Sequence, residues 1–173
     1  TFIHFGIIHL LLNMLALYQT GATTERLFGR GRFLALYVFA GLTGSLASMI
    51  WNPVVNGAGA SGAIFGVFGG LLAFTLDPRN RVPRSVMTEH RNSTLLFAGY
   101  SLFYGAVHPN IDNAAHIGGL VGGLLIGLLL ARPVEASARV AVGGKRLLLS
   151  AVAAAVVLAA MFAAASHPRE SVR

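Results

Sequence analysis

The sequence predicts an all-α protein, a polytopic bundle of transmembrane helices, and three observations predict it. Apolar residues make up 55% of the chain and charged residues only 11%, against roughly a quarter charged in a soluble domain. The apolar residues run in stretches near the ~20 that cross a bilayer, too long for buried strands and without strand alternation. The segments between these stretches alternate between strongly basic and bare of charge. With a mean hydropathy of +0.69, this excludes a disordered chain and an ordinary water-soluble globule. The absence of cysteine excludes disulfides, thiol nucleophiles and thiolate metal sites.

The spans read in order as Phe5–Gly21, Phe33–Trp51, Gly57–Leu76, Thr94–Val107, Asn113–Ala131 and Leu147–Ala165. The fourth is the shortest and the most aromatic. The chain opens on Thr1 with neither a charged n-region nor a cleavage site, so it reads as a fragment whose start lies upstream. Its organisation divides into a membrane domain over 1–132, a basic cytoplasmic loop over 133–146, an additional C-terminal helix over 147–165 and a polar tail over 166–173.

All of the 13 lysines and arginines except Arg169 and Arg173 fall in three loops. Arg26, Arg30 and Arg32 follow the first span. Arg79, Arg81, Arg84 and Arg91 follow the third, and Arg132, Arg139, Lys145 and Arg146 follow the fifth. The loops Asn52–Asn56 and His108–Asp112 hold none. The positive-inside rule then puts the basic loops in the cytoplasm and the bare ones outside. The net charge of +7 therefore abuts lipid headgroups, and no nucleic-acid partner is implied.

With this orientation the first, third and fifth spans start at the outer face, where polar residues gather. His4, His9 and Asn13 lie on the first span, Ser61 on the third, and Asp112, Asn113 and His116 on the fifth. Intramembrane polar and ionisable groups are costly and mark function. Gly57-Ala58-Gly59-Ala60-Ser61-Gly62 matches a dinucleotide-binding fingerprint in letters only, because no strand precedes it. Ser61 also fails the nucleophile-elbow pattern, since Ala63 stands where a glycine belongs.

Gly62, Gly66 and Gly70 recur at intervals of four on the third span, as do Gly119, Gly123 and Gly127 on the fifth. Such faces let two helix backbones pack closely, which would bring the Ser61 hydroxyl near the His116 imidazole. A serine becomes a nucleophile when a base adjoins it. A lone serine there reads first as a small packing residue, and a lone histidine reads as readily as a structural group as a functional one; the pairing favours chemistry. His9 and Asn13, at i and i+4, share a face and carry donors suited to a developing oxyanion, or to holding helices together. Asp112 reads as the cap of the fifth span beside Asn113; no carboxylate is left for a zinc site, so no metal is expected. Glu25 reads as a loop ion-pair partner of Arg26 or Arg30.

His9-Leu-Leu-Leu-Asn13, Gly59-Ala60-Ser61-Gly62 and Ala115-His116-Ile117-Gly118-Gly119 resemble, in order and position, the three signature segments of rhomboid intramembrane serine proteases. The resemblance covers roughly 1–132 and implies a rhomboid-like bundle whose first family helix would precede Thr1. It implies Ser61 as nucleophile and His116 as general base, a dyad without an acidic member. His9, Asn13 and the Ser61 backbone N–H would form the oxyanion hole, with Gly59 and Gly62 shaping the serine turn and Phe65 stacking on the histidine. The implied reaction is cleavage of transmembrane protein substrates near the outer face, without cofactor. Substrate would arrive sideways between helices, with Phe103 and Tyr104 beside its path. The outer-face orientation fits a bacterial inner membrane with the site facing outwards, with an organellar membrane as the alternative. Two other classes remain: a catalytically inactive rhomboid-like binding factor for membrane proteins, and a transporter, whose site would sit nearer the bilayer midplane.

Overall fold

The computed structural model describes residue 4, residues 6–51, 59–77, 84–108 and 111–131, and residues 152, 153, 155, 156, 159, 160 and 163. The loop expected over 133–146 and the tail over 166–173 lie outside the described residues, and the helix expected over 147–165 is described only in part.

The architecture is all-helical over the described residues. Helix α1 (Ile7–Ala16) runs through a π-helical turn, Leu17–Gly21, into α2 (Ala22–Phe28). The helix therefore continues beyond Gly21, where the first apolar span was expected to end. Gly21 stays helical, with φ −63° and ψ −44°, and helical geometry continues to Phe28. The break comes at Gly29, where φ is +80°, a conformation that side-chain-bearing residues rarely adopt. Arg30 beyond the break reaches back to Glu25, Nε to Oε1, at 3.5 Å; both are on the surface, so the pair contributes little stability.

Helix α3 (Arg30–Trp51) begins directly after that glycine, and α6 (Asn113–Leu130) matches the fifth expected span; α4 (Ser61–Leu76) ends with the third expected span but starts only at Ser61, because Gly59 and Ala60 form a bend ahead of it. Helices α3 and α6 are long and apolar enough to cross a membrane, while α4 is apolar but shorter. Helix α5 spans Arg84–Val107, starting ten residues before the expected Thr94. Apolar content located only its membrane half. The polar turns ahead of it, from Ser85 to Ser93, contain neither proline nor glycine and so continue the helix.

Helix α4 is the centre of the bundle: every residue from Ala63 to Leu71 is buried. Its glycine stripe meets that of α6 in register. A Cβ on Gly119 would strike the Gly62 backbone, one on Gly123 the Gly66 backbone, and one on Gly127 would lie 2.8 Å from Gly70 Cα. Backbone-on-backbone contact of this kind needs glycine, and in lipid it supplies the packing that the hydrophobic effect supplies in water.

The third helix was not legible as part of this contact. Gly66 accepts Ala40 of α3, Gly70 accepts Leu36, and Gly118 and Gly122 of α6 receive Ala47 and Thr43. Thus α3, α4 and α6 form one tightly packed unit. Outside it, α1, the π-helical turn and α5 turn large apolar residues outwards, among them Ile7, Ile8, Tyr18, Leu96 and Phe103. This small-inside, large-outside distribution suits a lipid solvent. At the opposite end from Ser61, Phe28, Leu36, Phe39, Phe74, Ile126 and Leu130 form an apolar cluster, and Ala153 packs against it.

Candidate active site

Ser61 is the first residue of α4 and His116 lies in the first turn of α6. Their helices touch at this end. A Cβ on Gly62 would come 3.2 Å from the Ala115 carbonyl oxygen, and one on Gly44 of α3 would come 2.8 Å from the same oxygen. The serine and the histidine therefore flank a single contact between three helices.

The His116 ring is 6% exposed. It lies flat on Phe65, one turn below Ser61, with ring centroids 4.2 Å apart and planes 6° from parallel. Phe65 is itself packed edge-on by Phe68, so the imidazole rests on a fixed aromatic floor. The buried Nδ1 of His116 has no hydrogen-bond partner among the described residues. Among those residues no hydrogen bond joins the Ser61 hydroxyl to the ring. Bonds of this kind are often long in unliganded sites and tighten when substrate binds.

Gly59, two residues before Ser61, has φ +125°, a conformation that disfavours any other residue. A Cβ there would also fall 3.0 Å from His9 Nε2 and 3.8 Å from Ser61 Oγ. Glycine thus lets the His9 ring from α1 approach the serine turn. His4 meets His9 edge-on, with centroids 5.2 Å apart. Asn13, buried at 6% exposure, donates from Nδ2 to the His9 carbonyl at 2.8 Å. That bond uses one of the two amide hydrogens and leaves the other for a ligand.

The N-termini of α4 and α6 differ in a way that bears on chemistry. Ala60 precedes α4 and offers no side-chain cap, so among the described residues no side chain competes with an anion for the first amides of the helix, Ser61 N–H included. Helix α6 has a side-chain cap. Asp112 Oδ1 accepts from Ala115 N at 3.0 Å, and its Oδ2 accepts the hydroxyl of buried Ser48 on α3. Next to it, Asn113 Nδ2 donates to the Leu102 carbonyl of α5 at 2.9 Å. A Cβ on Gly105 would collide with Asn113, so that glycine admits the contact.

The turn that carries His116 is therefore tied to helices on both sides. Capping by Asp112 was legible, while the reach of Asp112 to Ser48 was not: one serine in the small-residue end of α3 carries no local signal of its partner. Phe103 and Tyr104 are exposed on α5. Tyr104 stacks on His108, with centroids 3.8 Å apart, and His108 Nδ1 lies 2.9 Å from the Tyr104 carbonyl.

Fold and site together define a class: an integral membrane protein in which a glycine-packed helical core carries a serine, two histidines and an asparagine at one end. A family model described as the rhomboid domain matches residues 1–133, and the chain belongs to the rhomboid family. The protein is similar to Rhomboid protease GluP of Bacillus subtilis (strain 168), 39% identical over 160 residues, covering 92% of this chain and 30% of that protein. It is similar to RHOMBOID-like protein 4 of Arabidopsis thaliana, 39% identical over 132 residues, covering 76% of this chain and 33% of that one. Putative rhomboid protease YdcA of Bacillus subtilis (strain 168) is 32% identical over 134 residues, covering 77% of this chain and 65% of that protein. The chain thus spans about a third of the length of the first two relatives.

Proposed function

We propose that this chain is the catalytic membrane portion of an intramembrane serine endopeptidase acting on transmembrane protein substrates. The observation that carries the reading is the placement of Ser61 and His116 in the first turns of two helices in backbone contact, with Phe65 flat against the imidazole. Names of relatives as rhomboid proteases support it.

In the proposed reaction His116 takes the Ser61 hydroxyl proton as Oγ attacks the scissile carbonyl carbon. Negative charge moves onto the carbonyl oxygen, towards the uncapped Ser61 N–H and the His9 and Asn13 side chains. One such donor is worth about 10²–10³ in rate. Collapse of the tetrahedral adduct breaks the C–N bond, and the imidazolium gives its proton to the leaving amine. Water then attacks the acyl-enzyme, His116 taking its proton and returning it to Ser61 Oγ as the acid product leaves. No carboxylate is assigned to the histidine in this scheme.

The alternation of basic loops supports a site facing the outside of the cell, in a bacterial inner membrane, and cleavage near that face. Sideways access past α5, beside Phe103 and Tyr104, fits the thin packing of that helix.

The test uses the full-length protein in detergent micelles with a fluorophosphonate probe. Wild type is expected to label, Ser61→Ala to lose labelling, and His116→Ala to lose most of it. Labelling that persists in Ser61→Ala would overturn the proposal. A folded wild type that never labels and cleaves no membrane helix would favour a binding factor that lacks catalysis.

A further inference from the structure

The proposed reaction puts a proton on a buried ring. His116 is 6% exposed and lies against Phe65, and its Nδ1 has no hydrogen-bond partner among the described residues. An imidazolium formed there loses hydration and finds no acceptor at that nitrogen. Its place in the chain adds to the cost. His116 lies in the first turn of α6, where the helix dipole presents partial positive charge. In a dyad without an acidic member, another group has to offset both effects.

The chain has six acidic residues, and position eliminates most of them. Glu135 and Glu170 lie outside the described residues. Asp77 follows the far end of α4, about 24 Å from Ser61 at 1.5 Å per residue. Glu25 belongs to that same end, one turn before Phe28 of the apolar cluster. Glu89 stands near the start of α5, the helix whose other end meets Asn113. Asp112 remains, immediately ahead of α6 and four residues before His116.

The His116 amide donates to the Asp112 carbonyl at 3.2 Å, so the two residues stand in the helical i to i+4 relation. The Cβ atoms of such a pair lie about 5–6 Å apart. Asp112 and His9 are the titratable groups that act on the His116 ring, and only Asp112 brings charge of the compensating sign. Its oxygens are engaged elsewhere, Oδ1 with Ala115 N at 3.0 Å and Oδ2 with the buried Ser48 hydroxyl. Both oxygens accept, as those of an ionised carboxylate do. These bonds fix the carboxylate over the first turn of α6, where it acts on the ring through charge.

We propose that Asp112, held in place by Ser48 of α3, is a positioning residue that acts through His116: its negative charge offsets the positive end of α6 and stabilises the imidazolium formed as Ser61 is deprotonated. This rests on the protease function proposed above and adds a counter-charge to its dyad. The effect is separable from capping. Asparagine and serine cap a helix as well as aspartate does but carry no charge, whereas glutamate keeps the charge and is not a preferred cap. A full charge about 6 Å from the ring, at an effective dielectric of about 20, corresponds to about a hundredfold in rate, and screening lowers that figure.

The experiment measures fluorophosphonate labelling rates of the full-length protein in detergent micelles, with unfolding followed in parallel. Wild type is compared with Ser61→Ala, Asp112→Asn, Asp112→Ser and Asp112→Glu. The Asn and Ser variants should stay folded and label about tenfold to a hundredfold more slowly than wild type, and the Glu variant should recover most of the rate. A residue that only caps the helix gives the opposite order, with Asn and Ser fast and Glu slow. Folded Asn and Ser variants that label at the wild-type rate overturn the proposal, as does a folded Glu variant no faster than Asn. Labelling that persists in Ser61→Ala removes the protease reading, and this inference with it; that single variant tells the two failures apart.

Discussion

Replacing Asp112 tests how the α6 turn that carries His116 is held. Its carboxylate makes two bonds at once, Oδ1 to Ala115 N at 3.0 Å and Oδ2 to the Ser48 hydroxyl. Removing an N-cap costs about 0.5–2 kcal/mol, and losing a hydrogen bond to a charged group costs about 1.5–3 kcal/mol. Asp112→Ala should therefore destabilise the bundle by about 2–4 kcal/mol, less than the simple sum because the first turn of α6 relaxes. Ser48→Ala removes only the second bond and should cost about 1.5–3 kcal/mol. Asp112→Asn keeps an oxygen for the cap and an amide that the Ser48 hydroxyl can accept from, so its cost should stay under about 1.5 kcal/mol. Reversible unfolding in mixed micelles gives the stabilities, and fluorophosphonate labelling rates report whether His116 is still in position. The double variant Ser48→Ala/Asp112→Ala completes a cycle whose coupling should reach about 0.5–3 kcal/mol. Additive losses, or an Asp112→Ala protein as stable as wild type, would refute the claim that this bond ties α3 to α6.

Two further substitutions probe the serine side. Gly59→Ala forces a side chain into a backbone with φ +125° and against the His9 ring; it should cost about 1–3 kcal/mol and slow labelling more than stability alone explains, and unchanged labelling would show that the His9 approach is unimportant. Phe65→Leu removes the ring beneath His116; stacking of this kind is worth about 0.5–1.5 kcal/mol, so labelling should fall about twofold to tenfold, whereas an unaltered rate would mean that Phe65 only fills space.

Much of the fold could be read because lipid restricts the options. Apolar length located the spans, and the four-residue glycine spacing on Gly62, Gly66, Gly70 and Gly119, Gly123, Gly127 gave the α4–α6 contact in register. Three things were not legible. Helical continuation from Gly21 to Phe28 was hidden, because glycine and polar residues look like a loop when only hydropathy is followed. The early start of α5 was missed for the same reason. The role of α3 escaped because its contacts use Leu36, Ala40, Thr43, Gly44 and Ala47, a mixture without a repeating letter. At the site, spacing along each helix gave which residues share a face, such as His9 and Asn13. It could not give the stacking of Phe65 on His116 or the bond between Ser48 and Asp112, which depend on how two helices rotate against each other.

The packing divides the candidate site between a firm half and a looser one. Ser61, Phe65 and His116 sit on α4 and α6, where backbones touch and an added Cβ would have nowhere to go. His9 and Asn13 come from α1, whose outward face is largely exposed and whose only buried residue is Asn13. Helix α5 buries just Thr94, Ala98 and Gly105 among its described residues. Elements with few buried contacts open at lower free energy than the core. A helix-shaped ligand entering this bundle would therefore part α1 and α5 and leave the α3–α4–α6 unit in place. A nucleophile and base need fixed relative positions, which the tight half supplies. Under the proposed function, recognition of substrate needs a surface that can yield, and the looser half, where the π-helical turn Leu17–Gly21 also lies, is the part able to do so.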